Sequence, residues 1–244
     1  KSAISEGFRA VRMNIPYLNF SDKSGDEGEC VLITSSVGGE GKTFTSINLS
    51  LVYALSGKKV VLIGMDLRKP KIFNDFKLSN EIGLTNYLIG KANASQIIQS
   101  TFAENLDIIS AGPIPPNPSE LLEMSSLEVL INDLKETYDI IILDTPPVGL
   151  VADANLLTKY ADVNLFVVRH NYTHCDLLKF VKEQFIAKNR SNTGAIYNDF
   201  HIAKGYGYGY GYGYGYGYSY GYGYFEEDES EPKGKMGKLF KGKS

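Results

Sequence analysis

A glycine-rich turn between an apolar run and a helical segment constrains this fold more than any other feature. The run CVLIT at 30–34 leads into residues 35–43 (SSVGGEGKT), and a helix is predicted over 42–56. The turn is close to the phosphate-binding pattern G-x-x-x-x-G-K-[ST], with Ser36 in the first glycine position. Glycines let successive backbone N–H groups converge on phosphate oxygens, and the start of a helix adds its positive dipole end. The alternative, a solvated turn, is rare between a buried strand and a helix.

The side chains of this turn match the tasks of binding a nucleoside triphosphate. Lys42 supplies a point charge for the β- and γ-phosphates, and the Thr43 hydroxyl is a ligand for Mg²⁺. We therefore predict a site for ATP with Mg²⁺. Its predicted nucleotide contacts are Gly38, Gly39, Glu40, Gly41, Lys42, Thr43 and Phe44.

Short apolar runs alternate with helical segments along the first 203 residues. Continuous Val- and Ile-rich runs suit strands buried on both faces, and the alternation predicts a mostly parallel sheet flanked by helices. The predicted fold class is therefore α/β and P-loop NTPase-like, with ligands bound beyond the carboxyl ends of the strands. Asn117 and Glu120 are predicted to form a capping box. Strands are predicted at 30–34, 60–64, 106–110, 139–143, 163–168 and 194–197, and helices near 3–15, 42–56, 118–136 and 174–188.

Two carboxylates follow buried strands. Asp144 comes directly after an Ile/Leu run, where a Walker B Asp holds Mg²⁺, and Asp66 follows the strand at 60–64. Alone, either Asp would be read as a cap of the next turn, but together with Lys42 and Thr43 they predict one metal–phosphate site. Arg68 is predicted to orient Asp66 or to contact a phosphate, and a solvated Arg is equally open. The predicted catalytic residues are Lys42, Asp66, Asp144 and Arg68, and the predicted metal ligands are Thr43, Asp66 and Asp144.

The composition changes near residue 204. Gly and Tyr alternate over 205–224 except at Ser219, an acidic run follows at 226–231, and a Lys/Gly-rich end closes the chain. Since half of the repeat is Gly, whose backbone entropy opposes fixed structure, we expect residues 1–203 to form the domain and 204–244 to be disordered. An aromatic segment for self-association is the alternative. The repeat holds ten of the seventeen tyrosines, namely Tyr206, Tyr208, Tyr210, Tyr212, Tyr214, Tyr216, Tyr218, Tyr220, Tyr222 and Tyr224.

Composition argues against several other classes of protein. The chain has 25 basic and 28 acidic residues, which gives no electrostatic footprint for nucleic acid. Two cysteines are too few for a disulfide framework, and no apolar run reaches the roughly 18–20 residues that span a bilayer. Because residue 1 is Lys rather than Met, we expect a piece of a longer protein, which leaves membrane segments elsewhere open.

Together, these motifs resemble those of the bacterial tyrosine kinases, P-loop enzymes unrelated in fold to eukaryotic protein kinases. Residues 36–43 are similar to the family's Walker A motif, 65–70 (MDLRKP) to its Walker A′ motif and 140–147 (IIILDTPP) to its Walker B motif. Residues 111–122 (AGPIPPNPSELL) are also similar. Walker A′ usually reads D-x-D, whereas Gly64 stands at the position of the first Asp here. The resemblance therefore implies that, within this motif, Asp66 alone supplies the carboxylate that acts on the metal and the phenol.

The resemblance implies a protein-tyrosine kinase that uses ATP and Mg²⁺ and autophosphorylates its tail tyrosines in trans. Glu6, Arg9 and Arg12 match the family's E-x-x-R-x-x-R helix, which packs against a neighbouring subunit in a ring. The implied location is the cytoplasmic face of the bacterial inner membrane, and the implied role is control of polysaccharide synthesis and export. The implied partners are further copies of the chain, a membrane-borne activator segment of the same full-length protein, the polysaccharide export machinery and a tyrosine phosphatase.

Two other functions stay open on the residues alone. A positioning ATPase of the deviant-Walker class would share the loop, but such proteins carry a signature Lys where Val37 stands and lack a tyrosine tail. A non-catalytic, nucleotide-dependent ring scaffold would be phosphorylated by another kinase, and Gly64 is the residue that favours it.

Overall fold

A single mixed sheet forms the centre of the part of the chain that the computed structural model describes, residues 3–19, 27–149, 153–186 and 192–200. Its seven strands are β1 (Glu29–Ser35), β2 (Val60–Gly64), β3 (Ile98–Ser100), β4 (Leu106–Ile109), β5 (Ile140–Asp144), β6 (Val163–Arg169) and β7 (Thr193–Asn198). Their order is β3-β4-β2-β5-β1-β6-β7, and all pairs are parallel except β3 with β4. The predicted, mostly parallel α/β sheet is thus confirmed.

Helices cover both faces of this sheet. Over the described ranges they are α1 (Ala3–Asn14), α2 (Lys42–Ala54), α3 (Ile72–Phe76), α4 (Leu84–Leu88), α5 (Ala94–Ile97), α6 (Pro118–Leu122), α7 (Ser125–Thr137), α8 (Asp153–Leu157) and α9 (Cys175–Ile186). Among these helices, none combines the length and the apolar character needed to cross a membrane.

Successive residues of the central strands enter two cores on opposite faces of the sheet. In β1, Val31 and Ile33 join the core that α1 and α2 cover, whereas Cys30 and Leu32 join the core that α7 covers. All four side chains are fully buried. Because helices cover both faces, the strand needs apolar residues at consecutive positions, and this is the pattern that predicted it.

The chain around residue 120 differs from its prediction. The helix predicted over 118–136 is two helices, α6 and α7, because Met124 adopts extended backbone (φ −65°, ψ 141°) between them. The break allows both Leu122 of α6 and Leu127 of α7 to be fully buried. The predicted capping box is also wrong: the Asn117 amide donates to the Glu120 carboxylate (2.6 Å) instead of capping a backbone group.

Helix α1 lies against α2, as its apolar stripe predicts. Phe8 and Ile15 are buried, and a short 3₁₀ turn that contains Pro16 ends the helix. The Arg12 guanidinium donates to the carbonyl of Val52 (3.0 Å), which joins α1 to the last turn of α2. This bond also satisfies one of the carbonyls that a helix end leaves without an intrahelical partner.

The strand order brings three strand ends together at one edge of the sheet. Strand β5 lies between β1 and β2, with Asp144 beside Ile33 on one side and Gly64 on the other. Neighbouring strands are about 4.8 Å apart, so the residues that follow these strands lie within two strand spacings of one another. The loops after β1 and β2 and the end of β5 therefore form one site.

Replacing Leu62 by Ala should lower the free energy of unfolding by about 2–5 kcal/mol, because the side chain is fully buried in β2 and its loss leaves a cavity. Urea denaturation followed by circular dichroism measures this change. Leu55→Ala is the matched control, since Leu55 is 81% exposed. Equal losses in the two variants would contradict this account of the core.

Candidate active site

The phosphate loop, residues 36–43, takes a shape that its glycines allow. Gly39 and Gly41 have φ of 85° and 98°, a region that favours glycine. Gly41 is also the N-cap of α2, where no side chain caps the helix. The first N–H groups of α2 are therefore left for a ligand, and the helix dipole favours an anion there.

Lys42, Thr43 and Asp144 lie together at the start of α2 and the end of β5. The Thr43 hydroxyl donates to Asp144 Oδ2 (2.9 Å), and the Ser46 hydroxyl donates to Asp144 Oδ1 (3.0 Å). The Lys42 ammonium donates to the Ser35 hydroxyl (3.0 Å) and is almost fully buried. Ser46 was not among the predicted site residues, although its position one helical turn after Lys42 places it on the same side of α2.

Burial controls the ionisation of both charged groups. It raises the pKa of Asp144 to about 6, against the opposing effects of the Thr43 and Ser46 hydrogen bonds and of Lys42. Burial likewise lowers the pKa of Lys42, against the attraction of Asp144 and Asp66. Keeping each group charged therefore costs free energy, which a bound ligand of opposite charge would offset.

This set of donors fits Mg²⁺. Mg²⁺ prefers oxygen ligands and is usually held by one or two carboxylates together with phosphates of the substrate. A hydroxyl that donates its hydrogen to Asp144 still has lone pairs, so Thr43 can do this and also bind a cation. The buried carboxylate and the hydroxyl beside it are therefore suited to a hard divalent cation.

Asp66 lies across the same pocket, after β2. Its Oδ1 atom accepts the backbone N–H groups of Arg68 (3.2 Å) and Lys69 (2.9 Å), which fixes the carboxylate on its own turn. Two residues earlier, a Cβ built on Gly64 would lie 3.4 Å from the Ala111 nitrogen and 3.6 Å from Ile72 Cδ1. These are ordinary contacts, so position 64 has room for a side chain although it carries none.

The Arg68 side chain is held by residues outside the predicted site. Its Nε donates to Asp153 Oδ2 (2.9 Å) and its Nη2 to the Ser119 hydroxyl (2.9 Å), which itself donates to Asp153 Oδ1 (2.6 Å). Asp153 is buried. This network joins the turn of Asp66 to α6 and α8, so in the structure the guanidinium positions the turn and does not bond to the Asp66 carboxylate.

A buried carboxylate braces the phosphate loop from within. Glu40 is fully buried and accepts hydrogen bonds from the Ser36 hydroxyl (2.6 Å), the Val37 N–H (2.9 Å) and the Thr173 hydroxyl. The carboxylate of Glu40 is therefore engaged inside the protein. The predicted contact between Glu40 and the nucleotide stays a prediction.

The chain after β6 and the end of β7 hold the loop from outside. The Tyr172 hydroxyl donates to the Gly38 carbonyl and the Arg169 guanidinium to the Gly39 carbonyl, both at 2.9 Å. The Asn198 amide donates to the Glu40 carbonyl (3.0 Å). These contacts could not be predicted from the sequence, because they depend on β6 pairing with β1 and β7 pairing with β6 in the sheet.

One pocket of about 450 Å³ is lined by the phosphate loop, Asp66 and Asp144. Phe44, also predicted to contact nucleotide, is half-exposed at its rim and lies edge-on to Phe8, with ring centroids 5.8 Å apart. The remaining walls are largely apolar and include Pro70, Ile72, Phe73, Pro146 and Pro147. The pocket therefore combines a phosphate-binding floor with walls that suit an aromatic ring.

The structure describes the predicted subunit-contact residues of α1 but not the predicted phosphorylation sites of the tail. On α1, Glu6 and Arg9 form an ion pair with each other and keep about two-fifths of their side-chain surface exposed. The ten tail tyrosines lie outside the described residues, as does the predicted disordered segment 204–244. Their roles stay predictions.

Known bacterial kinases are similar to this chain in sequence and in structure. A family profile described as an AAA domain matches residues 28–192. The tyrosine-protein kinase YwqD of Bacillus subtilis strain 168 is 39% identical over 204 residues, which span 84% of this chain and 84% of that protein. The putative tyrosine-protein kinase CapB of Staphylococcus aureus is 37% identical over 204 residues, or 84% of this chain and 88% of that protein.

The kinase domain of the Escherichia coli tyrosine kinase ETK superimposes with a TM-score of 0.75 and 33% identity, covering 86% of this chain and 82% of that domain. This similarity confirms the predicted P-loop NTPase-like α/β class. It also favours a kinase over the positioning ATPase and the non-catalytic scaffold.

Replacing Asp144 by Asn should stabilise the protein in the absence of nucleotide and metal. The folded state raises the pKa of this carboxyl from 3.8 to about 6, so ionisation destabilises the wild type as pH rises through that interval. Each pKa unit corresponds to about 1.4 kcal/mol, which gives a gain of at most about 3 kcal/mol at pH 7.5 and little below pH 4. Thr43 and Ser46 hydroxyls can rotate to accept from the new amide.

Urea denaturation at pH 7.5 and pH 4 measures this gain, with the exposed Asp75→Asn as the control. A variant that is less stable than wild type at both pH values would show that the ionised carboxylate stabilises the fold.

Proposed function

Because this chain belongs to the family of bacterial tyrosine-protein kinases, we propose that its pocket transfers the γ-phosphoryl group of ATP to tyrosines of its own C-terminal tail. One observation carries the proposal: the phosphate loop, the buried Asp144 and the Asp66 carboxylate line a single pocket with apolar walls. Phosphoryl transfer has a loose transition state, so catalysis consists mainly of positioning and charge stabilisation.

On the nucleotide side, the loop N–H groups and Lys42 bind the β- and γ-phosphates, and Thr43 and Asp144 hold Mg²⁺. Bound Mg²⁺ neutralises charge on the phosphates and orients them. Ser46 donates to the second oxygen of Asp144, so hydrogen bonds hold both oxygens of the carboxylate. A phosphate anion beside Lys42 favours the charged ammonium and so opposes the burial that lowers the pKa of this group.

On the acceptor side, Asp66 receives the phenolic proton, or would link the phenol to the metal when a metal is bound. A phenol has a pKa near 10 and must lose its proton as the phosphoryl group arrives. Pro70 and Phe73 lie in the wall beside Asp66 and offer apolar surface to the incoming ring. Serine and threonine side chains are too small to use that surface, which supports tyrosine as the acceptor.

The tail supplies the acceptors for a neighbouring copy of the chain. The Gly-Tyr repeat of residues 205–224 reaches at most about 70 Å when extended, which is far enough for transfer between subunits. Gly flanks most of these tyrosines, and its small size gives the phenol access to a narrow cleft.

The wider setting of the reaction is also a proposal. Glu6, Arg9 and Arg12 of α1 contribute to the contact between subunits of a ring, as the family's helix motif implies. Exposed charge at Glu6 and Arg9 supports this assignment. The kinase acts at the cytoplasmic face of the inner membrane, under a membrane-borne activator and against a tyrosine phosphatase, and regulates polysaccharide synthesis and export.

Incubation with Mg-ATP should produce phosphotyrosine in the wild type, and Lys42→Met should reduce the rate by at least about 100-fold, because the phosphates lose their buried cation. Intact-protein mass spectrometry and a phosphotyrosine antibody measure the product. Lys91→Met is the control, since Lys91 is exposed and away from the pocket. Phosphate release without phosphotyrosine would point to an ATPase, and absence of both products would point to the scaffold.

Gly64→Asp should increase the rate of autophosphorylation on the order of tenfold, or about 1.4 kcal/mol of transition-state stabilisation. Position 64 lines the pocket, pairs with Asp144 in the sheet and has room for a Cβ, so a carboxylate there joins Asp66 at the metal and the phenol. Gly64→Ala adds the Cβ without the charge and should bring no increase. An equal rate for wild type and Gly64→Asp would show that the missing carboxylate does not limit this enzyme.

A further inference from the structure

Two lysines at the rim of the catalytic pocket have no ion-pair partner among the described residues. Lys69 and Lys71 line the pocket on the turn between β2 and α3, and both are exposed. The ion pairs of the described chain involve other residues, and Arg68, which stands between β2 and these lysines, is bound to Asp153. The two lysines are thus a positive rim, which we call the basic rim.

The lining of the pocket carries more basic than acidic side chains. It holds four basic side chains, Lys42, Arg68, Lys69 and Lys71, and two acidic ones, Asp66 and Asp144. Asp75 of α3 is exposed and lies four residues after Lys71, but it makes no ion pair with either lysine. Lys71 and Lys42 line the same pocket, and the charge of Lys71 is the smallest of the effects that act on the pKa of Lys42.

The tail carries the matching charge next to its tyrosines. Five acidic residues stand within 226–231, and the first of them, Glu226, is only two residues after Tyr224. Two residues of extended chain span about 7 Å. An acidic run held at the basic rim would therefore leave the last tyrosines of the repeat at the mouth of the pocket.

We infer that the basic rim, Lys69 and Lys71, docks the acidic segment 226–231 of a tail and so delivers the C-terminal tyrosines of the repeat first. This inference rests on the proposed function and adds a substrate preference to it. The enzyme favours tyrosines followed by acidic residues, and phosphorylation starts at Tyr224 and Tyr222. Since the docking contacts are exposed ion pairs, the preference weakens as salt concentration rises.

Two peptides test the preference directly. One has the sequence of residues 215–231, and in the other Gln or Asn replaces the five acidic residues. At saturating Mg-ATP, the wild type should show a kcat/KM roughly 2- to 30-fold higher for the acidic peptide, the range expected of two exposed ion pairs. The Lys69→Glu/Lys71→Glu variant should lose or reverse this ratio, and Lys91→Glu should keep it.

A time course of the full chain gives an independent readout. Mass spectrometry of the wild type should find Tyr224 and Tyr222 modified before Tyr206 and Tyr208, and the double charge-reversal variant should show no such order.

Equal use of both peptides by the wild type would overturn the inference and leave the proposed function intact. An acidic preference that survives Lys69→Glu/Lys71→Glu would also overturn the inference, because residues other than these two lysines would then bind the acidic run. If the double variant instead raised only the KM for ATP, the two lysines would belong to the nucleotide site. Failure of the wild type to phosphorylate either peptide or its own tail would overturn the proposed function itself.

Discussion

The burial of one carboxylate at the end of a central strand is the constraint on which this site depends. Asp144 is held between the hydroxyls of Thr43 and Ser46, so β5 and α2 are joined at the point where the phosphate loop ends. Burial disfavours its charge, and the nearby Lys42 is also buried at a cost. A bound metal ion would offset the burial of Asp144, and a bound polyphosphate would offset the burial of Lys42, so ligand binding would stabilise the site.

The rest of the structure serves to hold the loops around this carboxylate. Glu40 stiffens the phosphate loop from inside, while Arg169, Tyr172 and Asn198, at or just after the ends of β6 and β7, hold its carbonyls. Across the pocket, Arg68 joins the turn of Asp66 to α6 and α8. These contacts pre-organise the donors, and in a reaction that depends on positioning this is the main contribution a protein can make.

Sequence alone was enough for the features that depend on local chain chemistry. Buried strands, the glycine turn and the carboxylates at strand ends are encoded within a few residues each, so Lys42, Thr43, Asp66 and Asp144 were found and lie in one pocket. The break at Met124 was missed because a change of backbone direction inside an apolar pattern leaves the pattern almost unchanged. β3 was missed because it has only three residues, none of them fully buried.

Contacts between segments far apart in the chain also could not be predicted from the sequence. Asp153, Ser119 and Thr173 are ordinary polar residues in the sequence, and their importance comes from the strand order that carries them to the site. Arg68 illustrates the limit well. Its place beside Asp66 was visible, but the partner of its guanidinium, 85 residues further along the chain, was not.

The proposal that Asp144 holds Mg²⁺ beside the nucleotide is best tested by measuring ADP binding. Isothermal titration with ADP, in the presence of Mg²⁺ or of EDTA, compares the wild type with Asp144→Asn. Mg²⁺ should tighten ADP binding at least about tenfold in the wild type and by less than about twofold in the variant. An equal Mg²⁺ effect in both proteins would contradict it.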